Sequence, residues 1–571
     1  MNTFRIPLRA LTVLLCVSCW VSSIVAQEDE SLRREVEVVK PYSPEVSDFS
    51  KINALPDLTD TLKVNTRFEH NIRSSIASAQ FNPVLLSPLS LQPPMPLSPY
   101  KGYLKAGFGS YLSPMAEGYY HLGEKGVYGL DLHALHRSSM GDLEMPDGKE
   151  VEAPFSSTDL GASAVRYLKG GNLSADLNLQ YATWNFYGYN PLTPNEEALS
   201  QRILLPHLGL AYQSSARKTF RFHLGAAVDY LRDHDEKTET EISVAAGLKA
   251  LWSRTEVGVS ADMRWISGEE LLTASPLFGY RKTGRAAYAR TTPYISLNHS
   301  QFQLLAGIGL DYEKQEDEEG AFRVFPEVKA TWKIVPGESE LFASLTGGVV
   351  PNTYRALIRF NPYVIPGWAT RSSVEQIRVQ AGVRGNPGQS RWHYQIKASL
   401  GIWEDQIFWI HSGSRGDFLI PVPDDARVMD LSGELLYRHS DRFSTVLQAG
   451  YHYWVTDLLP EAWHKTPWDA TWSWRYRAGE KFYADFEVFF SGSRKFSPDY
   501  YRVLEGTLAA EDFQELETDA LADLNLKLEY RFTPVFSVFA QGKNLLNRQY
   551  ALWGFYPVQG MQIMGGLTVS F

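Results

Sequence analysis

The last twelve residues, GMQIMGGLTVSF (560–571), decide the fold. Met561, Ile563, Leu567, Val569 and Phe571 fall on one side of an extended chain, and Gln562, Met564, Gly566, Thr568 and Ser570 on the other, because successive side chains of a strand point to opposite faces. The result is a strand with one apolar and one polar surface. A soluble sandwich also alternates in this way, so the decision rests on how far the pattern extends.

It extends from about residue 102 to the end. Ile242, Val244, Ala246, Leu248, Ala250 and Trp252 alternate with Ser243, Ala245, Gly247 and Lys249; Leu524, Leu526, Leu528 and Tyr530 interleave with Asn525, Lys527 and Glu529. The segments run about 9 to 15 residues, whereas strands of soluble proteins usually run about 5 to 6, and a tilted strand crossing a bilayer needs about 9 to 11. The links alternate as well. Short turns such as GEKG near 123, KGGN near 169, SRTE near 253, NPGQS near 386 and FTPV near 532 are interleaved with longer, polar links around 139–156, 187–202, 268–283, 353–373, 412–425 and 494–517.

Short turns at one end and longer loops at the other are the asymmetry of outer-membrane barrels. The expected fold class is all-β, a single transmembrane antiparallel β-barrel of about 22 strands, even in number, over 102–571. The segment 391–411 is long enough to hide a bulge. In a closed barrel the last strand must pair with the first, so Leu567, Val569 and Phe571 are expected to serve insertion and closure, with the aromatic end at the membrane interface. Lumen-facing positions, among them Asp131, Lys249, Asp485, Glu487, Asn525, Lys527 and Glu529, are of mixed charge, which suits a hydrated surface.

Residues 1–26 read as a secretory signal: Arg5 and Arg9, an apolar core from Ala10 to Val21, then a small-residue region up to Ala26. The alternative is a lipoprotein signal ending at Cys19. Both cysteines, Cys16 and Cys19, lie in this segment, which leaves residues 27–571 without disulfides or thiolate metal ligands. Without Arg5 and Arg9 the chain carries 53 basic and 65 acidic side chains, a net charge of −12 that speaks against nucleic acid as a partner. Beyond the signal no run of 18 apolar residues occurs, so no transmembrane helix is expected. Aromatics make up 13% of the chain, as interface girdles require, and the lipid bilayer of the outer membrane is the expected partner. Residues 27–101 form a separate proline-rich periplasmic or luminal segment.

The sequence has no G-x-S-x-G elbow, no H-E-x-x-H, no P-loop and no dinucleotide fingerprint. An enzyme, a cofactor or a metal centre is therefore not expected. His133, His223 and His452 are dispersed and read as lumen or interface residues. The acidic runs DHDE (233–236) and EDEEG (316–320) offer oxygen ligands for calcium, but solvated loops are the plainer reading.

The stretch QGKNLLNRQYALW (541–553) with the terminal strand resembles the last two strands of TonB-dependent receptors, through Asn544, Leu545, Leu546, Asn547 and Tyr550. That resemblance implies an outer-membrane barrel, transport, and TonB as a partner. Residues 35–39 (Glu35, Val36, Glu37, Val38, Val39) look loosely like a TonB box, the short segment that adds a strand to TonB. The family places a globular plug of well over a hundred residues before the barrel, whereas residues 27–98 are fewer and proline-rich. The stretch 36–61 resembles the start of plugless receptor-like barrels of the Bacteroidota. The resemblance leaves two functions open: transport, or a structural or assembly subunit whose lumen is closed by an outer-membrane partner protein. The lumen of so wide a barrel can be closed by the N-terminal segment, by the outer loops, or by another protein.

Overall fold

The computed structural model describes residues 100–145, 148–188, 199–215, 219–275, 279–316, 319–367, 372–411, 418–498 and 515–571; of 269–275, 279–283 and 389 it describes the backbone alone. Within these residues the chain forms a closed antiparallel barrel of 22 strands. Each strand pairs with its neighbours in sequence, and the first, Gly102–Gly109, closes the ring against the last, Gln562–Ser570.

The terminal strand does what its alternation requires. Leu567 stands opposite Ala106 and Val569 opposite Leu104. The Phe571 amide donates to Gly102 O at 2.9 Å, its carbonyl accepts from Lys101 N at 2.6 Å, and its ring stacks on Tyr120 at 5.8 Å. Around the ring, residues of one parity are exposed and apolar, such as Leu248, Trp252, Phe108, Trp332 and Ile563, each more than half exposed. The opposite parity is polar and turned inward: Asn525 and Lys527 are buried, and Asp131 accepts from Tyr119 Oη at 2.5 Å and lies 2.7 Å from His121 Nδ1. An apolar exterior around a polar interior is the arrangement of a bilayer-spanning barrel, in which every backbone group is satisfied between strands.

The short turns read from the sequence all lie at the end that also holds residues 101 and 571, the periplasmic end in barrels of this kind. The long strand Trp392–His411 carries the expected bulge, a register shift between Trp403 and Gln406 with Asp405 at φ 54°. The other end differs from the sequence reading in three places. Of the stretch 268–283, read as a polar loop, residues 268–275 and 279–283 belong to strands Thr255–Ser275 and Gly279–Asn298. In 412–425, residues 419–425 are the start of strand Leu419–Ser440, with Leu419, Ile420 and Val422 all buried. In 353–373 a helix, α1 (Tyr354–Phe360), buries Tyr354, Leu357 and Ile358. Above the bilayer a wall strand no longer needs an apolar outer face, so the period that marks the membrane segment fades there.

Closure depends on two glycines facing each other under one ring. Gly107 pairs with Gly566, and a Cβ on Gly566 would lie 2.1 Å from Ala106 O and 2.5 Å from the Phe539 ring. On the neighbouring Gly565 it would meet nothing nearer than 3.8 Å. Gly566→Ala should therefore destabilise the folded barrel by about 1–3 kcal/mol, the usual cost of overpacking, and Gly565→Ala should not. Heat-modifiability on gels is the measurement, and equal transition temperatures for the two variants would overturn the account.

Candidate functional site: a cap of loops across the mouth

Links from widely separated strands meet at the long-loop end. The link between the thirteenth strand (Ser339–Val350) and the fourteenth (Ser373–Gly385) turns inward as α1 and reaches the wall at the seventh (Phe220–Arg232) and eighth (Thr238–Trp252) strands. There Arg355 pairs with Asp229 at 2.5 Å and with Glu241 at 2.6 Å. Glu239 accepts from the Tyr354 and Arg355 amides at 2.8 and 3.0 Å, and the Tyr354 hydroxyl donates to Asp233 at 2.7 Å. Asp233, read from sequence as part of a solvated acidic loop, is only 2% exposed. Burial raises the Tyr354 phenol well above 10, so it stays a donor at any physiological pH.

The same link continues across the lumen. Pro362 O accepts from Trp184 Nε1 at 3.0 Å, Tyr363 O accepts from Leu419 N at 2.8 Å, and Val364 bridges Leu419. Tyr363 stacks on Tyr556 at 3.6 Å, and Tyr187 packs edge-on to both while donating to Pro557 O at 2.9 Å. These three tyrosines belong to links that follow the fifth (Gly171–Phe186), thirteenth and twenty-first (Phe536–Lys543) strands, spaced 8, 8 and 6 strands apart around the ring. Below and beside them Trp184, Leu231, Trp409, Leu459 and Trp463 are buried in one continuous apolar cluster. The described loops thus lock together across the mouth of a lumen whose wall is polar.

The motif read as receptor-like has a definite structural task here. Asn544 and Asn547 both take left-handed backbone, φ 47° and 50°, which asparagine tolerates better than most residues. Asn544 Nδ2 donates to Arg548 O and Gln559 O at 2.8 and 3.0 Å, and its Oδ1 accepts from Arg548 N at 3.1 Å. Asn547 Oδ1 accepts from Met561 N at 2.8 Å, and Tyr550 donates to the buried Asp523 at 2.5 Å. Leu545 packs over Gly542, and Leu546 is 46% exposed. Together these residues fold the link after the twenty-first strand (Phe536–Lys543) and present Tyr556 to the cap.

A second anchor holds the link 457–467. His464, at φ 61°, donates its amide to Lys495 O at 2.8 Å and stacks on Phe496 at 5.6 Å, with His411 at 5.4 Å and Trp553 at 5.3 Å. Neither of its ring nitrogens has a hydrogen-bond partner among the described residues. Burial first, then the charges of His411, Arg494 and Lys465, hold its pKa well below 6.5. Lys465, over the Phe408 and Trp454 rings, is pushed down by burial to about 8.

Residues 35–39 lie outside the described residues. Of the dispersed histidines, His133 lies 3.0 Å from Asp159, and His452 sits between Asp430 at 2.8 Å and Asp469 at 3.0 Å, each bridging neighbouring strands inside the barrel. His223 lies over Gly247, where a Cβ would come within 2.1 Å of its ring. Among the described residues no group of three His, Cys, Asp or Glu side chains is placed to hold a metal ion. Sequence reasoning missed the cap residues. The signal was present: FNPYVIPGW (360–368), LLPEAWHKTPW (458–468) and LWGFYPV (552–558) are too rich in apolar and aromatic residues for links that merely face water.

Arg355→Ala leaves Asp229 and Glu241 without that cation, which costs roughly 3–5 kcal/mol where a buried pair is broken. Amide exchange in 354–367 should accelerate by at least a hundredfold while barrel strands keep their protection; unchanged exchange would show that the link is held by packing alone. His464 gives a pH response. Below about pH 6.5 an undocked His464 takes up a proton that the docked one refuses, so docking weakens as pH falls, by about 1.4 kcal/mol or tenfold per unit. Lys465 acts only between about 8 and 10.5, where docking strengthens as pH rises, outside the acid window. Exchange in 457–467, corrected for its intrinsic pH dependence, should rise between pH 6.5 and 5 in the wild type and stay flat in His464→Phe.

No protein-family model matches the chain, and no curated protein sequence does either. Solved structures do match its fold. The FrpB iron transporter from Neisseria meningitidis aligns with a TM-score of 0.64 at 11% identity, over 83% of this chain and 81% of that one. The pyoverdine outer membrane receptor FpvA from Pseudomonas aeruginosa PAO1 gives 0.60 at 10%, over 83% and 79%. The ferric-catecholate import receptor Fiu from K12 E. coli gives 0.60 at 8%, over 83% and 82%. At such identities the likeness is one of fold, and in fold the chain is a 22-strand membrane barrel of the kind used by these receptors and transporters.

Proposed function

We propose that this protein is a transport barrel of the outer membrane, resembling TonB-dependent receptors without a globular plug, whose outer mouth is gated by its own loops. The observation that carries this reading is the cap. Loops that cross a wide lumen and interlock through Tyr187, Tyr363 and Tyr556 separate the lumen from the outside, while paired charges on the wall below keep it compatible with water. The fold likeness to an iron transporter, a pyoverdine receptor and a ferric-catecholate import receptor supports import as the class.

In this reading Glu35–Val39 pairs with a strand of TonB, and Lys40 and Pro41 end the added strand. The proline-rich stretch 27–98 is not a receptor plug in this reading, and the cap supplies closure from the outer side. The proline content of that stretch also supports a second reading, in which the barrel is a structural or assembly subunit and an outer-membrane partner occupies its lumen.

Titration of the full-length protein in detergent with the purified C-terminal domain of the host's TonB separates the two. The wild type should bind, and Val36→Pro with Val38→Pro should weaken binding at least tenfold, since proline removes the amides a paired strand needs. Absence of binding by the wild type would sink the energised-transport reading and favour the structural one.

A further inference from the structure

The barrel wall is not equally tall on all sides. The strands Thr255–Ser275 and Leu419–Ser440 have 21 and 22 residues, whereas Gly102–Gly109, Phe536–Lys543 and Gln562–Ser570 at the closing seam have 8, 8 and 9. Among the described side chains the exposed apolar band reaches a similar height on many strands. Its last residue lies eight positions from the short-turn end at Val228, ten at Ile242, Ile402 and Tyr453, eleven at Met429 and thirteen at Phe322. On that scale the outermost turn of the seam does not rise above the band. Leu112, ten positions from Gly102, and Met140, twelve from Tyr128, are 62% and 66% exposed, and Met561, nine from Ser570, is 41% exposed.

The turn itself is built to present a large apolar side chain. Tyr111 and Leu112 hold φ 60° and 45°, a left-handed conformation that bulky residues rarely adopt and that glycine or asparagine supplies without strain. Tyr111 is fixed from below: its carbonyl accepts from Met140 N at 2.9 Å, and its ring lies where a Cβ on Gly141 would come within 2.2 Å. Ser110 Oγ accepts from Ile563 N at 3.0 Å and ties the turn to the last strand. A turn in water would gain nothing from leucine at so strained a position.

We propose that the turn Ser110–Leu112, with Met140 and Met561, is seated in the interfacial region of the outer leaflet and anchors the closing seam in lipid. Its exposed side chains continue the lipid-facing series Leu104, Phe108, Ile563 and Leu567, so the occupant is the same lipid that covers the wall below. The opposite side of the barrel, with strands of 20 to 22 residues, stands well above the membrane. The seam side stops at the membrane surface.

The chain's only two cysteines, Cys16 and Cys19, are replaced by serine, so single-cysteine labelling reports on one position at a time. Leu112→Cys, Met140→Cys and Met561→Cys are labelled with bimane and reconstituted, as the full-length protein, in phosphatidylcholine vesicles. Phe108→Cys serves as the lipid-exposed reference and Leu458→Cys, in a cap link, as the aqueous one. The expected result is quenching by a shallow nitroxide lipid within a factor of two of position 108, and at least fivefold protection from iodide relative to position 458. Iodide access equal to that at 458, with no nitroxide quenching, would overturn the proposal and mark the patch as a surface for a partner protein. Three positions are read so that a variant failing to fold does not decide the outcome.

Discussion

In hydrocarbon no water is at hand to satisfy a backbone amide or carbonyl, so a spanning sheet must have no edge. Pairing of Gly102–Gly109 with Gln562–Ser570 removes the last edge, and the other features follow from it. The ring fixes an even number of strands with both strand ends on the short-turn side, and it assigns one parity to lipid and the other to the lumen. It also brings residues as remote as Ala106 and Leu567 into register, in a seam narrow enough to require glycine beneath Phe539.

Once closed, a ring of 22 strands creates a difficulty of its own, because wall side chains cannot fill so wide a lumen. Among the described residues, loops meet across its mouth. Their apolar residues are buried against one another and against the inward faces of the wall above the membrane, while charged contacts fix them at the sides. Arg355 is the main lateral tie, joined to carboxylates on two adjacent strands. The paired charges lower in the wall, such as Arg290 with Asp311 and Glu327, satisfy one another and leave a hydrated lining.

The barrel was legible because the division between lipid and lumen acts on every second residue for about ten positions, long enough for Ile242 to Trp252 to declare itself. The turns were legible because strand reversal needs particular residues, as at Gly337 and Gly479, both with positive φ. The taller wall was not, since above the membrane both faces of Ile407 to Ile410 are buried and alternation is lost. Nor was the cap: Tyr187, Tyr363 and Tyr556 are 176 and 193 residues apart along the chain, and only ring closure brings them together. Asn544 and Tyr550 were noticed through family likeness, but their work, folding a link that feeds the cap, depends on Asp523 and Gln559, which no local pattern connects to them.

The junction of three tyrosines also bears on how such a protein can change over generations. Surface loops are ordinarily the part of a barrel that drifts most freely, each lengthening or shortening without regard to the others. Here three of them share one contact, so an insertion that displaces Tyr363 disturbs Tyr187 and Tyr556 as well. Sequence change is thereby tolerated better at loop tips that do not reach the junction than at the junction itself. The cap would be inherited as a unit, its loops keeping step with one another across a ring that otherwise leaves them strangers.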